Sequence, residues 1–512
     1  MTSVDTPKNI LFITADQWRG ECLSTLGHQV QTPNLDLLAA EGMLFKNHYA
    51  QAVPCAPSRA SIHTGMYLQN HRACTNGTPL DARHTNWALE TRKAGFDPVL
   101  FGYTDTANDP RQFDPDDPIL TSYEGPLPGI NPVCMMGTFP DAWASWLSEK
   151  GYDIPDNTYM LYTNKVGKEY EQGGDKPSAL SIPAEHHDTW FMVDQVTDYL
   201  DTFRQQQLKD SFCVHLSLLR PHPPWIAPAP YNEMYPPETL EDYIRAESRE
   251  SEAAQHLWLA HELTKKYSSA PADPKKLARL KASYFGLMTE VDTNLGRLFD
   301  YLKANNLWDN TLIVFTSDHG EQIGDHHLLG KMGYFDQSYH IPLIIRNPNA
   351  EAHGTVIEGF TENIDIVPTL LDWLDLNVPV QCDGRSLIPA TRLGSLPDYW
   401  RTEAHWEYDF RSVLNGVETE QKLELSLNQC NLNVIRDHEF KYVHFANLPP
   451  LLFDLTRDPG ELVNQADNPE YAAKVLHYAQ KLLSWRMEND ERTLTHLALE
   501  EEGVIARSDP GK

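Results

Sequence analysis

Cys55 and Arg59 stand four residues apart in the run Cys55-Ala56-Pro57-Ser58-Arg59-Ala60-Ser61-Ile62-His63-Thr64-Gly65. The run reads as a helix that opens at the cysteine. Pro57 suits a first helical turn, where a missing N–H costs nothing. Free N–H groups at a helix start point toward any bound anion. The Arg59 guanidinium adds fixed charge with bidentate geometry for an oxyanion. The pattern is a nucleophile position inside an anion cradle. For a cysteine taken alone, a buried structural thiol beside a surface arginine is the plainer reading.

Two further stretches place acids where a cation could sit. Asn9-Ile10-Leu11-Phe12-Ile13-Thr14 is a short apolar run that stops at Ala15-Asp16-Gln17. Thr311-Leu312-Ile313-Val314-Phe315-Thr316-Ser317 ends in Asp318-His319-Gly320-Glu321. Each reads as a buried parallel strand with an acid at its carboxyl end, the end at which open α/β sheets bind ligands. Asp16 and Asp318 can then converge on one metal ion, with Glu321 a weaker candidate. Taken singly, Asp16 would equally be a helix cap or a turn residue.

The run Cys55-x-Pro57-Ser58-Arg59, followed by Thr64-Gly65, resembles the signature of the sulfatase family. The likeness continues through Thr32 to Gly42, which reads as a capped amphipathic helix ending at glycine, and through Asn363 to Leu371 and Leu452 to Pro459, and thins at 125–185, 225–275 and 385–435. It implies that a formylglycine-generating enzyme oxidises Cys55 to formylglycine, whose aldehyde hydrate attacks sulfur or phosphorus. Ordinary sulfatases continue from Gly-Tyr into Gly-Lys-x-x-His. Here Gly102-Tyr103-Thr104 runs on into Asp105-Thr106-Ala107-Asn108, which is similar to the phosphonate monoester hydrolase branch. That branch implies Asp16, Asp318, His319 and the residue at 55 as ligands of one divalent ion. Imidazole at His319 favours Mn2+ or Zn2+, with Ca2+ the harder alternative. Arg59 and Lys331 would stabilise charge on the transferred group, and His222 would protonate the leaving oxygen. Asn76 and Tyr103 would contact substrate, although Asn76-Gly77 is also ordinary turn chemistry and Tyr103 could simply pack. Two prolines after His222 hold its loop extended; His215, inside a strand, reads as core. Many sulfatases carry two acids where this chain has Asp16-Gln17, which leaves the ligand count open.

These residues need a large scaffold, and 512 residues can bury one and more than one domain. The implied fold is α/β: a large mixed β-sheet flanked by helices, as in the alkaline phosphatase superfamily, with a smaller C-terminal α/β domain. The expected division is 1–385 for the catalytic part and 386–512 for the C-terminal part. Residues 125–185 read as a long irregular excursion, 236–274 as a surface insertion, and Lys276 to Asn305 as a long amphipathic helix. Leu423–Leu425 and Lys441–Phe445 read as hairpin segments, and Tyr471 to Asn489 as a C-terminal helix.

The formal net charge of −30 argues against nucleic acid and anionic membrane surfaces as partners. Residues 1–8 lack a signal-peptide pattern, and no segment is long and apolar enough to span a bilayer. Seven scattered cysteines without paired spacing suit a reduced, cytoplasmic protein. The expected partner is a small anionic ester; a homo-oligomer is left open. The reading is therefore a metal-dependent hydrolase of singly charged phosphonate monoesters, phosphodiesters and sulfate monoesters, with arylsulfatase as the alternative main activity. Two rivals keep Cys55 unmodified: a non-catalytic oxyanion- or metal-binding protein, and an enzyme using the thiol itself.

Overall fold

Residues along a strand alternate between the two faces of a sheet, and a strand covered on both sides is apolar throughout. Asn9–Ala15 is such a strand: every residue is buried. The computed structural model describes residues 8–163, 179–206, 211–412 and 418–506; residues 1–7, on which the signal-peptide reading fell, lie outside them. Its strands are β1 (Asn9–Ala15), β2 (Met43–Tyr49), β3 (Ala52–Val53), β4 (Pro98–Gly102), β5 (Asn131–Met135), β6 (Cys213–Leu218), β7 (Thr311–Thr316), β8 (His340–Ile341), β9 (Leu343–Arg346) and β10 (Thr355–Glu362). All but β3 form one mixed sheet in the order β10-β2-β9-β7-β1-β6-β4-β5, with β8 pairing β2. The consecutive strands β5, β4, β6, β1 and β7 run parallel, and β9 lies antiparallel to both β7 and β2.

The helices include α1 (Pro33–Ala40), α2 (Cys55–Thr64), α3 (Asp188–Gln206), α4 (Pro274–Ala304), α5 (Ile366–Trp373) and α6 (Ala472–Glu488). Leu11 and Ile13 of β1 face a core shared with Phe191 and Val196 of α3 and Leu287 and Val291 of α4. Ile10 and Phe12 face the opposite core, with Leu370 and Leu371 of α5. The sheet is thus helix-covered on both faces, as the fold class requires. Among the described residues no helix is long and apolar enough to cross a membrane.

A second sheet joins β11 (Ala404–Asp409), β12 (Asn431–Arg436), β13 (Phe440–Phe445) and β14 (Leu451–Asp454) in the order β14-β13-β12-β11-β3. Its fifth member, β3, pairs Ala52 with Glu407 and Val53 with Tyr408 in parallel. This two-residue strand comes just before Cys55, so the second sheet is tied directly to the entry of α2.

Several expectations need correcting. The 125–185 stretch contains the edge strand β5 and a helix, Asp141–Glu149. The 236–274 stretch is not a surface insertion. Its Trp258 is fully buried, with ring centroids 5.6 Å from Tyr334, 6.0 Å from Tyr408 and 6.3 Å from Phe410. Aromatic burial of this kind is worth about 3 kcal/mol or more, enough to anchor an otherwise charged segment. Leu423 ends a short helix, Glu418–Leu423, rather than a hairpin strand. The Thr32 side chain does not cap α1; the Asp292 carboxylate of α4 accepts from the Asn34 and Leu35 N–H groups instead, at 3.1 and 2.8 Å.

Candidate metal and nucleophile site

The register of two strands builds the centre. β1 and β7 are parallel with Thr14 opposite Thr316. Two residues further along each strand stand Asp16 and Asp318, so the same register that packs the core delivers both carboxylates to one spot. α2 brings Cys55 to the same place. The helix is buried along its whole length and ends at Gly65, whose left-handed φ of 71° suits glycine. The Asn76 Oδ1 accepts from the Ala56 N–H at 3.0 Å, satisfying one free donor at the helix start.

Asp16, Cys55, Asp318 and His319 are all buried, and one donor atom from each lies within 4.8 Å of the others. The polar contacts decide which atoms face inward. Asp318 Oδ1 accepts from the Gln17 N–H at 3.1 Å and the His319 N–H at 3.0 Å. Asp16 Oδ2 accepts from Arg59 Nη2 at 3.1 Å and from the Tyr103 hydroxyl. Asp16 Oδ1 has no hydrogen-bond partner. A buried carboxylate oxygen without a donor is costly unless a cation takes it. The His319 Nδ1–H donates to the Gly320 carbonyl at 3.0 Å, so its Nε2 carries the lone pair. That Nε2 lies 3.2 Å from Cys55 Sγ and 3.8 Å from Asp16 Oδ1. Two carboxylates, an imidazole nitrogen and a fourth donor fit a divalent cation.

The surrounding charges are arranged around these ligands. Arg59 is buried, and its Nε donates to Asp318 Oδ2 at 2.9 Å. Its Nη1 donates to the Tyr103 carbonyl at 3.1 Å and to Ser217 Oγ at 2.8 Å, and its face lies 4.2 Å over the Tyr103 ring. The guanidinium is thus engaged by the Asp16 and Asp318 carboxylates, not left open as the oxyanion cradle read from the sequence. Although burial raises the Asp16 pKa, His222, Arg59, His319 and Lys331 together hold it well below the usual carboxylate range. Asp105, 3.8 Å from Arg59 Nε, behaves oppositely: burial pushes it up to about 8. Burial also raises the Cys55 thiol pKa, reinforced by Asp16.

Lys331 sits beside Cys55, and its Nζ donates to Gln17 Oε1 at 2.8 Å. Burial works against its charge, but Cys55, Asp16 and Asp318 hold its pKa above the usual lysine range. The His222 Nδ1–H donates to the Pro223 carbonyl at 2.7 Å, leaving Nε2 as its free nitrogen. Burial pushes this imidazole down to about 3, against the pull of Asp16. Tyr103 is buried on Asp16 and Arg59. Glu321 is no ligand: its carboxylate accepts from the Ile323 and Gly330 N–H groups and from the Gln17 amide. His215 is core, hydrogen-bonded to Thr14 at 3.1 Å and stacked on Phe12. Sequence reasoning missed Ser217 and the acceptor role of Gln17; Ser217 lies opposite Thr14 in the β1–β6 register, a signal only the pairing supplies.

Comparison with known proteins identifies the family. Residues 8–376 match the sulfatase family, and residues 324–488 match the family described as N-sulphoglucosamine sulphohydrolase, C-terminal. The chain is 43% identical to the multifunctional alkaline phosphatase superfamily protein PehA of Trinickia caryophylli, over 98% of this chain and 100% of the relative. It is 28% identical to an arylsulfatase of Clostridium perfringens, over 95% of this chain and 96% of that one. The crystal structure of the phosphonate monoester hydrolase of Agrobacterium radiobacter superposes with a TM-score of 0.91 at 44% identity, covering 98% of this chain and 100% of that chain.

Proposed function

Because the chain belongs to the sulfatase family, we propose that it hydrolyses singly charged esters, namely phosphonate monoesters, phosphodiesters and sulfate monoesters, at the centre built on Cys55. The observation that carries this reading is the convergence of Asp16, Cys55, Asp318 and His319 within 4.8 Å, with Lys331 beside Cys55.

A divalent cation held by Asp16, Asp318, His319 and the residue at 55 would neutralise a non-bridging ester oxygen and lower the pKa of the attacking hydroxyl. Formylglycine at position 55 would supply that hydroxyl from its hydrate, along with an aldehyde-forming exit. The imidazole ligand favours Mn2+ or Zn2+ over Ca2+.

The protein's own groups divide the remaining work. Arg59 orients both ligand carboxylates and offsets their charge. Lys331 puts a fixed ammonium beside the nucleophile, where it stabilises negative charge that develops on the transferred group or the leaving oxygen. His222 is neutral because burial disfavours its charged form, and its lone pair lies at Nε2. To protonate the leaving oxygen it would first have to take up a proton at that nitrogen. Asn76 fixes the start of α2 through its Oδ1, which keeps its amide N–H groups for the substrate. Tyr103 acts through Asp16.

The seven cysteines are buried and not in disulfides, which supports a reducing, cytoplasmic location; fractionation of the source cell checks it. The function is tested by mass spectrometry of the Cys55 peptide together with rates on aryl sulfate, phenylphosphonate monoester and phosphodiester. An aldehyde at position 55 and turnover of the phosphorus esters support the reading; an unmodified thiol in fully active enzyme overturns it. If the sulfate ester is turned over fastest, arylsulfatase becomes the main activity.

A further inference from the structure

Gln17 stands next to a proposed metal ligand, where many sulfatases have a second acid, and its amide is engaged by Lys331 and Glu321. Its Oε1 accepts from Lys331 Nζ at 2.8 Å, and its Nε2 donates to Glu321 Oε2. The amide orientation is forced, because a carboxylate only accepts and an ammonium only donates. The other Glu321 oxygen, Oε1, accepts from the Gly330 N–H at 2.7 Å and the Ile323 N–H at 2.8 Å. Gly330 directly precedes Lys331, and its carbonyl accepts from the Gln322 N–H at 2.7 Å. One carboxylate therefore fixes both ends of the lysine: its backbone through Gly330, and its ammonium through the Gln17 amide. The main chain of Gln17 is held independently. Its N–H donates to Asp318 Oδ1 at 3.1 Å, its carbonyl accepts from the Tyr284 hydroxyl at 2.7 Å, and its φ is 70°.

We propose that Glu321 and Gln17 are positioning residues for the proposed reaction, a relay that aims the Lys331 ammonium at the departing or non-bridging oxygen. This rests on the function proposed above. A neutral amide is what the task requires. It accepts from the ammonium without cancelling its charge, whereas an acid at position 17 would form an ion pair with Lys331 and remove that charge from the ester.

The test is a double-mutant cycle. Glu321→Gln keeps an acceptor for Gly330 and Ile323 but turns an N–H toward Gln17. The Gln17 amide must then reverse and present its own N–H groups to the ammonium. Gln17→Met breaks the relay without touching the Glu321 loop contacts. Each variant is assayed on aryl phosphonate monoesters with good and poor leaving groups, alone and combined with Lys331→Ala, in metal-loaded enzyme with formylglycine content measured. Each single variant is expected to lower kcat about tenfold on the poor leaving group and less than about threefold on p-nitrophenol, with KM nearly unchanged. In the Lys331→Ala background either change should add less than about twofold. Rate losses that multiply with that of Lys331→Ala, or that ignore the leaving group, or no loss at all, overturn the relay. Should Glu321→Gln fail to fold, the Gln17→Met arm alone decides. Wild-type inactivity on every ester would instead refute the proposed function, so the two failures are distinct.

Discussion

Arg59 Nε lies 2.9 Å from Asp318 Oδ2, and the same guanidinium reaches Asp16 Oδ2 at 3.1 Å, so a buried arginine holds together two carboxylates that also face a cation site. Removing it leaves two buried acids with less compensation. Arg59→Ala should therefore destabilise metal-free protein by about 3–5 kcal/mol. A divalent ion should restore more stability to the variant than it adds to wild type, because it supplies the missing positive charge. Thermal unfolding with and without a chelator measures both. Equal metal-induced stabilisation in the two proteins would mean that Arg59 does not compensate the ligands.

The ligand set makes separate demands on Cys55 and Asp318. Cys55→Ala should abolish turnover while keeping the fold, since the metal retains three protein ligands. Asp318→Asn keeps shape but removes a charge, and should lower metal occupancy as well as rate. Elemental analysis beside circular dichroism checks both variants. Full occupancy in Asp318→Asn at unchanged activity would mean that the two strand ends do not share an ion.

Tyr103 donates to Asp16 Oδ2 and stacks under Arg59, so its hydroxyl tunes a ligand while its ring packs. Tyr103→Phe should cost only about 1 kcal/mol of stability but roughly tenfold in metal affinity, in the range typical of lost partners to metal ligands. Metal titration of the chelated variant, read with its Tm, tests this. An unchanged metal affinity would make Tyr103 a packing residue.

Stability should fall on the alkaline side for a specific reason. His187 is fully buried, with its Nδ1 2.9 Å from Asp188 and 3.1 Å from Glu290. Burial opposes its charge, but the two acids raise its pKa from 6.5 to about 9. A folded-state pKa above the unfolded value gives stability that is fully present below about pH 6.5 and is lost as pH rises through about 9. The loss should be on the order of 3 kcal/mol. Asp188 also holds Arg220, which donates to the His222 carbonyl at 3.0 Å, so the change reaches the site loop. Urea unfolding at pH 6.5 and pH 9.5 in wild type and His187→Asn isolates the effect. Parallel pH profiles in the two proteins would exclude it.

The catalytic core was legible because its logic is local. Apolar runs ending in Asp16 and Asp318 announce strands and their carboxyl ends, and the Cys55 run carries its own signature. Where the sequence misled, the deciding contacts lie far apart along the chain. Trp258 looks like part of a charged loop until Tyr334, Tyr408 and Phe410 surround it. The cap of α1 comes from Asp292, more than 250 residues away. Ala52–Val53 is too short to read as a strand, and only pairing with β11 makes it one. Arg59 was read as facing an anion because a guanidinium suits one; that two ligand carboxylates would claim it follows from the β1–β7 register. Gln17 registered only as a missing acid, since its partners Lys331 and Glu321 are 314 and 304 residues distant.

The central claim concerns charge. With a divalent ion bound, the positive groups at the centre would be that ion, Arg59 and Lys331, set against the carboxyl groups of Asp16 and Asp318, while burial raises the Asp105 pKa to about 8 and so favours its neutral form at pH 7. That leaves a modest positive excess, enough for a singly charged ester; a dianionic phosphate monoester needs a further cation or a second metal. The most direct measurement is kcat/KM at pH 7 for p-nitrophenyl phenylphosphonate against p-nitrophenyl phosphate, with metal-loaded, formylglycine-containing enzyme. The phosphonate should be preferred by at least about tenfold, a difference of about 1.4 kcal/mol in transition-state binding. A preference for the phosphate monoester would contradict the account and require a further cation at the site.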